Sequence, residues 1–444
     1  MNKQIITPCG EILGTSCRIS GVVAFKGIRY ATAGRWEYPK PVSSWEGVYD
    51  ATKYGNCSYQ PRSFYNEEEN LKKIFYYNEF RKGESYTYSE DCLFLNVWTP
   101  EDATPESRLP VIVYIHGGGF TGGCGHEKQF DDPIWPTKGV VAVTINYRLG
   151  PMGFLCLPEL ADEAGHTGNY GLFDQLAALM WVRDNIAAFG GDPGRVTIMG
   201  QSAGAMSVQL HCQSPLTDGL FVGAVMSSGC GMTNMMMGTP EKNYGFWQEV
   251  MKRLGCATLE EFRAISPDRL FEEWQSAKKE VKGGVTSTFP VKDGKFIVDK
   301  ASPKHIPYIV GSNSHDMAPP IIYSMAKKWG RSNSLRSYVY LLDRMLPGDS
   351  NGSWHSADLW YWFGTLPNCW RPMEQKDYEI SEQMATYLCN FAQKGEPNGQ
   401  NQPAWAPCEE NGRVLCIGEK STRMGKPNMA KLIFTMLTNK SVGE

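Results

Sequence analysis

The stretch that decides the fold is RVTIMGQSAGAMSVQLH, residues 195–211. Its first part is apolar and β-branched, which is typical of a buried strand, and Ala205 to His211 is predicted to be helical. Between them, Gly200-Gln201-Ser202-Ala203-Gly204 fits the pattern G-x-S-x-G. In a strand–turn–helix context this pattern exposes a serine hydroxyl at a sharp turn, and its glycines let the backbones approach closely. The sequence therefore predicts Ser202 as a catalytic nucleophile.

Other apolar runs along the chain predict the neighbouring strands of the same sheet. The main runs are 111–115, 140–145, 196–199, 222–226, 306–310 and 338–342, and shorter β-like runs are 22–25 and 93–98. A helical pattern spans Phe173 to Phe189, and Asp192-Pro193-Gly194 then breaks it before the next strand. Strands that alternate with helices pair in parallel through right-handed crossovers. We therefore expect an α/β-hydrolase fold, with a central, mostly parallel twisted sheet and helices on both faces.

The region from about 231 to 290 interrupts this alternation. It reads as helical and is less apolar than the strands around it. We therefore expect one catalytic domain that spans residues 1–444 and carries a short helical insertion, resembling a lid or cap, at about 231–290.

A glycine-rich segment, His116-Gly117-Gly118-Gly119-Phe120, directly follows the strand predicted at 111–115. Acyl transfer builds negative charge on a carbonyl oxygen, which backbone N–H groups stabilise. Glycines expose these groups without side chains in the way, so Gly118, Gly119 and Ala203, the residue after the nucleophile, are the predicted donors. A phosphate-binding loop is the alternative, but it would end in G-K-[ST], which this segment lacks. His116 is expected to be structural.

The catalytic base is found by elimination among seven histidines. In this fold the chain order is serine, acid, histidine, which leaves His211, His305, His315 and His355. His211 lies about 13 Å along the helix that starts at the nucleophile. His305 precedes a strand, and His315 leaves few places for an acid before it. His355 follows the strand at 338–342, where open α/β sheets gather their site residues, and is the predicted base.

The acid should also follow a strand. Asp316 comes shortly after the strand at 306–310, so it is the predicted partner of the histidine. Asp343 and Asp349 remain rivals, although they lie close to the histidine in sequence, and Asp293 and Asp299 are expected in a turn. The three residues together predict an acyl-enzyme mechanism.

Composition excludes several other classes of protein. The net charge of −3 argues against a nucleic-acid partner, because such domains usually carry a basic surplus. No run approaches the roughly 18 apolar residues of a membrane span, and the N-terminus lacks the apolar stretch of a signal peptide. The 13 cysteines are scattered without a CxxC pair, so we expect reduced thiols, a cytoplasmic location, no metal site and no cofactor. The oligomeric state is open, and a monomer is compatible with the sequence.

Motifs along nearly the whole chain resemble the type-B carboxylesterase family, which includes bacterial p-nitrobenzyl esterases and cholinesterases. The matching segments are FKGIRYA (25–31), WEGV (45–48), SEDCLFLNV (89–97), HGGGF (116–120), NYRLG (146–150), NYGLFDQ (169–175) and FGGDP (189–193). The resemblance implies an α/β-hydrolase that cleaves small-molecule carboxylic esters.

The same resemblance bears on individual residues. The family's acid segment, G-x-N-x-x-[E/D]-G, matches Gly311, Asn313 and Asp316, but aspartate replaces the usual glutamate and Met317 replaces the usual glycine. The family's histidine precedes an aromatic run, as His355 precedes LWYWFG at 359–364. Relatives often join the equivalents of Cys57 and Cys92 by a disulfide, which a cytosolic location would leave reduced. Phe120, Trp354 and Trp360 are expected either to line a gorge or to pack in the core.

Two other functions stay open at this stage. Another acyl-transfer enzyme, such as an amidase, lactonase or thioesterase, would use the same residues, because leaving-group preference depends on the shape of the pocket. A non-catalytic binding protein on the same fold is disfavoured, since it would be expected to lack Ser202, His355 or the glycine donors, and all are present.

Overall fold

The structure is a computed structural model that describes residues 2–71, 74–332, 336–408 and 412–438. Its strands are β1 (Lys3–Thr7), β2 (Gly10–Ser16), β3 (Val22–Arg29), β4 (Ala31–Thr32), β5 (Lys40–Pro41), β6 (Val48–Asp50), β7 (Cys57–Ser58), β8 (Tyr88–Ser89), β9 (Phe94–Pro100), β10 (Leu109–Ile115), β11 (Val141–Ile145), β12 (Gly191–Gln201), β13 (Gly223–Ser227), β14 (Tyr308–Asn313), β15 (Ser337–Asp343), β16 (Val414–Gly418) and β17 (Thr422–Gly425). Its α-helices are α1 (Ile74–Phe80), α2 (Gly150–Phe154), α3 (Pro158–Ala164), α4 (Tyr170–Asn185), α5 (Ala203–Gln213), α6 (Thr233–Met236), α7 (Glu241–Arg253), α8 (Leu259–Ala264), α9 (Pro267–Glu280), α10 (Pro319–Ser332), α11 (Asp358–Phe363), α12 (Gln375–Lys394) and α13 (Met429–Thr438).

One large sheet dominates the molecule, with the order β1-β2-β3-β9-β11-β10-β12-β13-β14-β15-β16-β17. The strands from β11 to β16 in this order are all parallel to their neighbours, and antiparallel strands β9 and β17 flank them. Each main apolar run of the sequence is one of these parallel strands. The expected sheet of the α/β-hydrolase fold is confirmed.

Both faces of the sheet are covered, which explains why its strands are continuously apolar. On β10, Val111, Val113 and Ile115 point into one hydrophobic cluster, whereas Ile112 and Tyr114 point into a second. Helices α5 and α10 contribute side chains to the first cluster, and α11 and α12 contribute to the second. Alternate side chains of a strand face opposite sides, so a strand buried on both faces needs apolar residues throughout.

The junction before β12 differs from the sequence prediction. Helix α4 begins at Tyr170 and ends at Asn185, and a 3-10 turn at Ile186–Phe189 follows it. The segment 192–194, which was expected to separate the helix from the strand, lies inside β12. Within it, the side chain of Asp192 accepts a hydrogen bond from the amide of Gly194 (2.9 Å). The register with β10 shifts here, so the breaker forms an irregularity within the strand.

The insertion between β13 and β14 contains the helices α6 to α9. Its apolar side chains Trp247, Phe271 and Trp274 form a separate cluster with Met152 and Tyr170. Within the described ranges, no helix combines the length and apolar character needed to cross a membrane.

Candidate active site

Ser202 occupies the turn between β12 and α5. Its backbone has φ 56° and ψ −126°, a sparsely populated conformation for a residue with a side chain. The amide of Ser202 donates to the carbonyl of Ser227 on the neighbouring strand (2.9 Å), and its carbonyl accepts from Met206 in the first turn of α5 (3.0 Å). These bonds hold the strained residue at the carboxyl end of the sheet.

The glycines on each side of Ser202 are required by close packing. A Cβ atom on Gly200 would overlap the backbone of Gly204, and a Cβ atom on Gly204 would overlap the carbonyl oxygen of Ile115. Any larger residue at these two positions would push α5 away from β10 and β12. The spacing of the motif therefore follows from the contact between this helix and the sheet.

The predicted acid and base lie in contact. Asp316 follows β14, His355 lies in the segment between β15 and α11, and His355 Nδ1 is 2.6 Å from Asp316 Oδ1. The amide of Met317 donates to the same carboxylate (2.9 Å), so a backbone group orients it as well. An ionised carboxylate only accepts hydrogen bonds, so Nδ1 carries the proton and Nε2 keeps its lone pair. A histidine that acts as a general base needs this tautomer.

Ser202 and His355 line the same cavity, but no hydrogen bond joins them. The side-chain nitrogen of Gln201 instead lies 3.2 Å from His355 Nε2 and donates to it. The structure thus pairs Asp316 with His355 and places Ser202 in the same cavity. The side-chain amide of Gln201 occupies His355 Nε2, the nitrogen that a serine hydroxyl would need as its acceptor. The sequence pattern does not predict this contact, because Gln201 occupies a variable position of the motif G-x-S-x-G.

The two charged forms of the acid and base stabilise each other. Burial acts against the charge of His355, but the carboxylate of Asp316 outweighs it and raises the pKa of the imidazole above its usual range. Burial likewise opposes ionisation of Asp316, and the charge and hydrogen bond of His355 lower the pKa of that carboxyl. A charged imidazole at this position is therefore stabilised by Asp316.

A second buried acid, Asp358, lies behind this pair and was missed from the sequence. It accepts hydrogen bonds from Ser227, from Tyr340 (2.8 Å) and from Asn313 (3.2 Å). Burial raises the pKa of Asp358, and its charge adds to the rise in the pKa of His355. Asp358 directly precedes the aromatic run at 359–364, and nothing in the local sequence pattern indicates this role.

The glycine-rich segment forms one wall of the cavity. Gly117, Gly118 and Gly119 line it next to Ser202, with φ of 112° at Gly118 and 63° at Gly119. The carbonyl of Gly118 accepts from the amides of Thr121 and Gly122, which closes a tight loop. Ala203 is the first residue of α5, and amides in the first turn of a helix have no partner within it. The predicted donors thus belong to two segments next to Ser202, the glycine loop and the start of α5.

The cavity has a volume of about 520 Å³ and a mixed lining. Its aromatic side chains include Tyr76, Phe80 and Phe130. Besides Asp316 and His355, its charged side chains are Arg62, Glu67, Arg81 and Glu127. The charged groups pair with each other, as in the bond from Arg62 to Glu127 (2.7 Å). Phe120, Trp354 and Trp360, the aromatics named from the sequence, are fully buried in the core and do not line it.

The rival acids are bound to other partners, and the rival histidines His116 and His315 line the same cavity without a hydrogen bond to Asp316. Asp343 binds Lys431 (2.8 Å), Asp349 binds Arg371 (2.6 Å), and Asp293 accepts backbone amides in a turn. His211 is buried against Gln175 (3.0 Å), and burial lowers the pKa of its imidazole to about 3. His116 stacks on a tyrosine ring behind the glycine segment, 4.5 Å between centroids. None of these residues forms a hydrogen bond with His355.

The chain matches the model of the carboxylesterase family over residues 1–344 and 322–434. It belongs to the carboxylesterase family. This membership confirms the expected resemblance and the expected class of enzyme, a carboxylic-ester hydrolase.

Individual relatives agree with the family match. The chain is 44% identical to para-nitrobenzyl esterase of Bacillus subtilis (strain 168) over 239 residues, which covers 52% of this chain and 45% of that protein. It is 29% identical to bile salt-activated lipase of Mus musculus over 94% of this chain and 84% of that protein. A solved structure of PNB esterase superposes with a TM-score of 0.83 at 26% identity, covering 98% of this chain and 99% of that one.

Proposed function

We propose that this carboxylesterase hydrolyses small-molecule esters through a triad of Ser202, His355 and Asp316. The observation that carries the proposal is the 2.6 Å contact between His355 Nδ1 and Asp316 Oδ1 in the cavity that also holds Ser202. The strained backbone of Ser202 at the start of α5 supports its role as nucleophile.

The reaction follows from these positions. Ser202 Oγ attacks the ester carbonyl while His355 Nε2 takes its proton, and the amides of Gly118, Gly119 and Ala203 stabilise the oxyanion. The alcohol leaves with the proton from His355, and an acyl group stays on the serine. His355 then removes a proton from water, which attacks the acyl-enzyme and releases the acid.

Gln201 has a defined place in this sequence of steps. Its amide satisfies the lone pair of His355 Nε2 before substrate binds. The hydroxyl of Ser202 must replace that amide before proton transfer, and catalytic hydrogen bonds often form only when substrate is bound.

A cavity of about 520 Å³ supports a small substrate, because pockets for small molecules span roughly 300–1,000 Å³. We therefore expect p-nitrophenyl esters from acetate to decanoate to be hydrolysed, and a matched p-nitroanilide to react far more slowly. Steady-state kinetics on both series tests this. Faster hydrolysis of the anilide, or of a lactone or thioester analogue, would assign the same residues to a different leaving group.

We also propose that the chain forms one catalytic domain in which the insertion at about 231–290 flanks the cavity as a short lid. Phe271 of α9 packs on Tyr59 and Phe64, next to the cavity-lining segment that begins at Pro61. We propose a cytoplasmic location because the 13 cysteines are scattered without a CxxC pair, which favours reduced thiols.

Activity should depend on pH through His355. The imidazole must be neutral to accept a proton, and Asp316 raises its pKa, so kcat/KM should fall with acidity below an apparent pKa above the usual 6.5. In Asp316→Asn the charge that raises the pKa of His355 is lost, whereas burial still lowers that pKa. The midpoint of the pH–rate profile should therefore move to lower pH. A pH–rate profile for both proteins measures the shift, and an unchanged midpoint would contradict the assignment.

The two oxyanion glycines should respond differently to alanine. A Cβ atom on Gly118 would overlap the carbonyl oxygen of Gly122, whereas one on Gly119 would meet only Thr121 Oγ1, at 3.9 Å. Gly118→Ala should displace its amide and lower kcat by about 10²- to 10³-fold. Gly119→Ala, the matched control, should stay within about tenfold, because only mild backbone strain is added. Equal losses in both variants, measured on folded proteins, would contradict this account of the loop.

A further inference from the structure

Two cysteines and a histidine meet in a buried cluster outside the triad. Cys57 belongs to β7, and Cys124 and His126 lie in the segment that follows the oxyanion glycines. Their Sγ, Sγ and imidazole nitrogen atoms all lie within 4.8 Å of one another, and Cys57 Sγ is 3.5 Å from His126 Nε2. All three residues are buried.

The surroundings fix the imidazole and leave a polar group without a partner. The ring of Tyr54 stacks on His126 with 4.4 Å between centroids and 8° between planes. The hydroxyl of Tyr86, whose ring lies 5.6 Å from that of His126, is buried and has no hydrogen-bond partner in the described part of the chain. A buried hydroxyl without a partner is costly, so a group that it could bind is expected nearby.

We propose that Cys57, Cys124 and His126 supply three ligands of a zinc site. Thiolate and imidazole ligands suit Zn²⁺, and bond lengths of about 2.3 Å to sulfur and about 2.1 Å to nitrogen give sulfur–nitrogen edges of roughly 3.6 Å. The observed 3.5 Å edge matches this value. Zinc binds cysteine as thiolate and histidine as neutral imidazole, so two thiolates would neutralise the ion, which removes the cost of a buried net charge. The hydroxyl of Tyr86 is available to donate to a thiolate.

The site would join two segments next to the reaction centre. One segment is β7, which contains Cys57. The other contains Cys124 and follows the glycine loop that carries the proposed oxyanion donors. The side chain of Gln60 already links these segments through hydrogen bonds to both backbone groups of Gly123 (2.9 and 3.0 Å). Zinc would add a second link beside it and thereby stabilise the loop. Sequence spacing gave no metal signal because Cys57 and His126 are 69 positions apart.

Metal content tests the proposal directly. The protein is purified with reductant, stripped with a chelator, loaded with Zn²⁺ or Co²⁺ and freed of excess metal. We expect about one tightly bound ion per chain by elemental analysis, and a thiolate-to-cobalt charge-transfer band with intense tetrahedral d–d bands in the Co²⁺ form. Zinc should also raise the melting temperature of the stripped protein.

Two variants and a matched control locate the ion. Cys57→Ala and Cys124→Ala should each lower the affinity for Zn²⁺ by at least about 100-fold and abolish the cobalt–thiolate band. Cys389→Ala removes a buried thiol on α12, outside the cluster, and should bind metal like the parent. The spectrum of the parent keeps the test decisive if a cluster variant fails to fold.

Three results would overturn the proposal. One is a parent protein that takes up no zinc after reduction. Another is equal binding by the parent and both cluster variants, which would mark the metal as adventitious. The third is a count of 11 reactive thiols, two fewer than the 13 in the sequence, when the parent is denatured without reduction. If the two unreactive cysteines are Cys57 and Cys124, they form a disulfide instead of a metal site.

Discussion

Replacing Ser202 with alanine should lower kcat for p-nitrophenyl acetate by roughly 10⁴- to 10⁶-fold. The variant lacks the oxygen that forms the acyl-enzyme, so only the oxyanion donors and substrate binding can still accelerate hydrolysis. The fold should remain, because alanine removes only the side-chain oxygen and the bonds that hold the turn are made by the backbone. Steady-state kinetics with a pre-steady-state burst assay measures the loss.

Ser207→Ala is the matched control for this variant. Ser207 is a buried serine on the same helix, and its hydroxyl accepts a hydrogen bond from Gln175 (3.1 Å), away from the cavity. Its loss should change kcat by less than about threefold. A Ser202→Ala protein that stays folded and keeps a burst of p-nitrophenol would show that another group is the nucleophile.

Replacing Asp316 with asparagine should lower kcat by about 10⁴-fold while the protein stays folded. The amide of asparagine can donate to Nδ1, which would move the imidazole proton to Nε2, the atom that must accept the serine proton. The variant also loses the charge that stabilises the imidazolium. The same ester assay, with the melting temperature as a check on folding, measures the effect.

The rival acids provide the controls for Asp316. Asp343 and Asp349 are bound to Lys431 and Arg371 and do not contact His355, so Asp343→Asn and Asp349→Asn should keep kcat within about tenfold. Their loss can affect stability, because Asp349 pairs with a buried arginine. A loss of kcat in either of them as large as that in Asp316→Asn would contradict the assignment of the acid.

Much of this arrangement was predictable because its signals are local in sequence. The parallel strands are continuous apolar runs, since both faces of the sheet are buried, and the Ser202 turn needs glycines at two nearby positions for packing reasons. The placement of Asp316 and His355 beyond the ends of β14 and β15 follows from the same sheet. Chain order then leaves few residues that could meet there.

The parts that were missed depend on contacts between distant segments. Gln201 reaches His355, Asp358 binds Ser227 and Tyr340, and Cys57 meets His126, and no local pattern encodes any of these meetings. The sequence left two alternatives for Phe120, Trp354 and Trp360, which were lining a gorge or packing in the core. The structure places all three side chains in the core. Aromatic residues beside a motif do not reveal which side of a loop they face.

The identity of the nucleophile is tested most directly by covalent trapping. The protein is treated with a fluorophosphonate, and the adduct is located by mass spectrometry of proteolytic peptides. We expect one adduct per chain, on Ser202, with loss of esterase activity in proportion to labelling and no adduct in Ser202→Ala. An adduct on another residue, or full inactivation without a modified Ser202, would contradict this expectation.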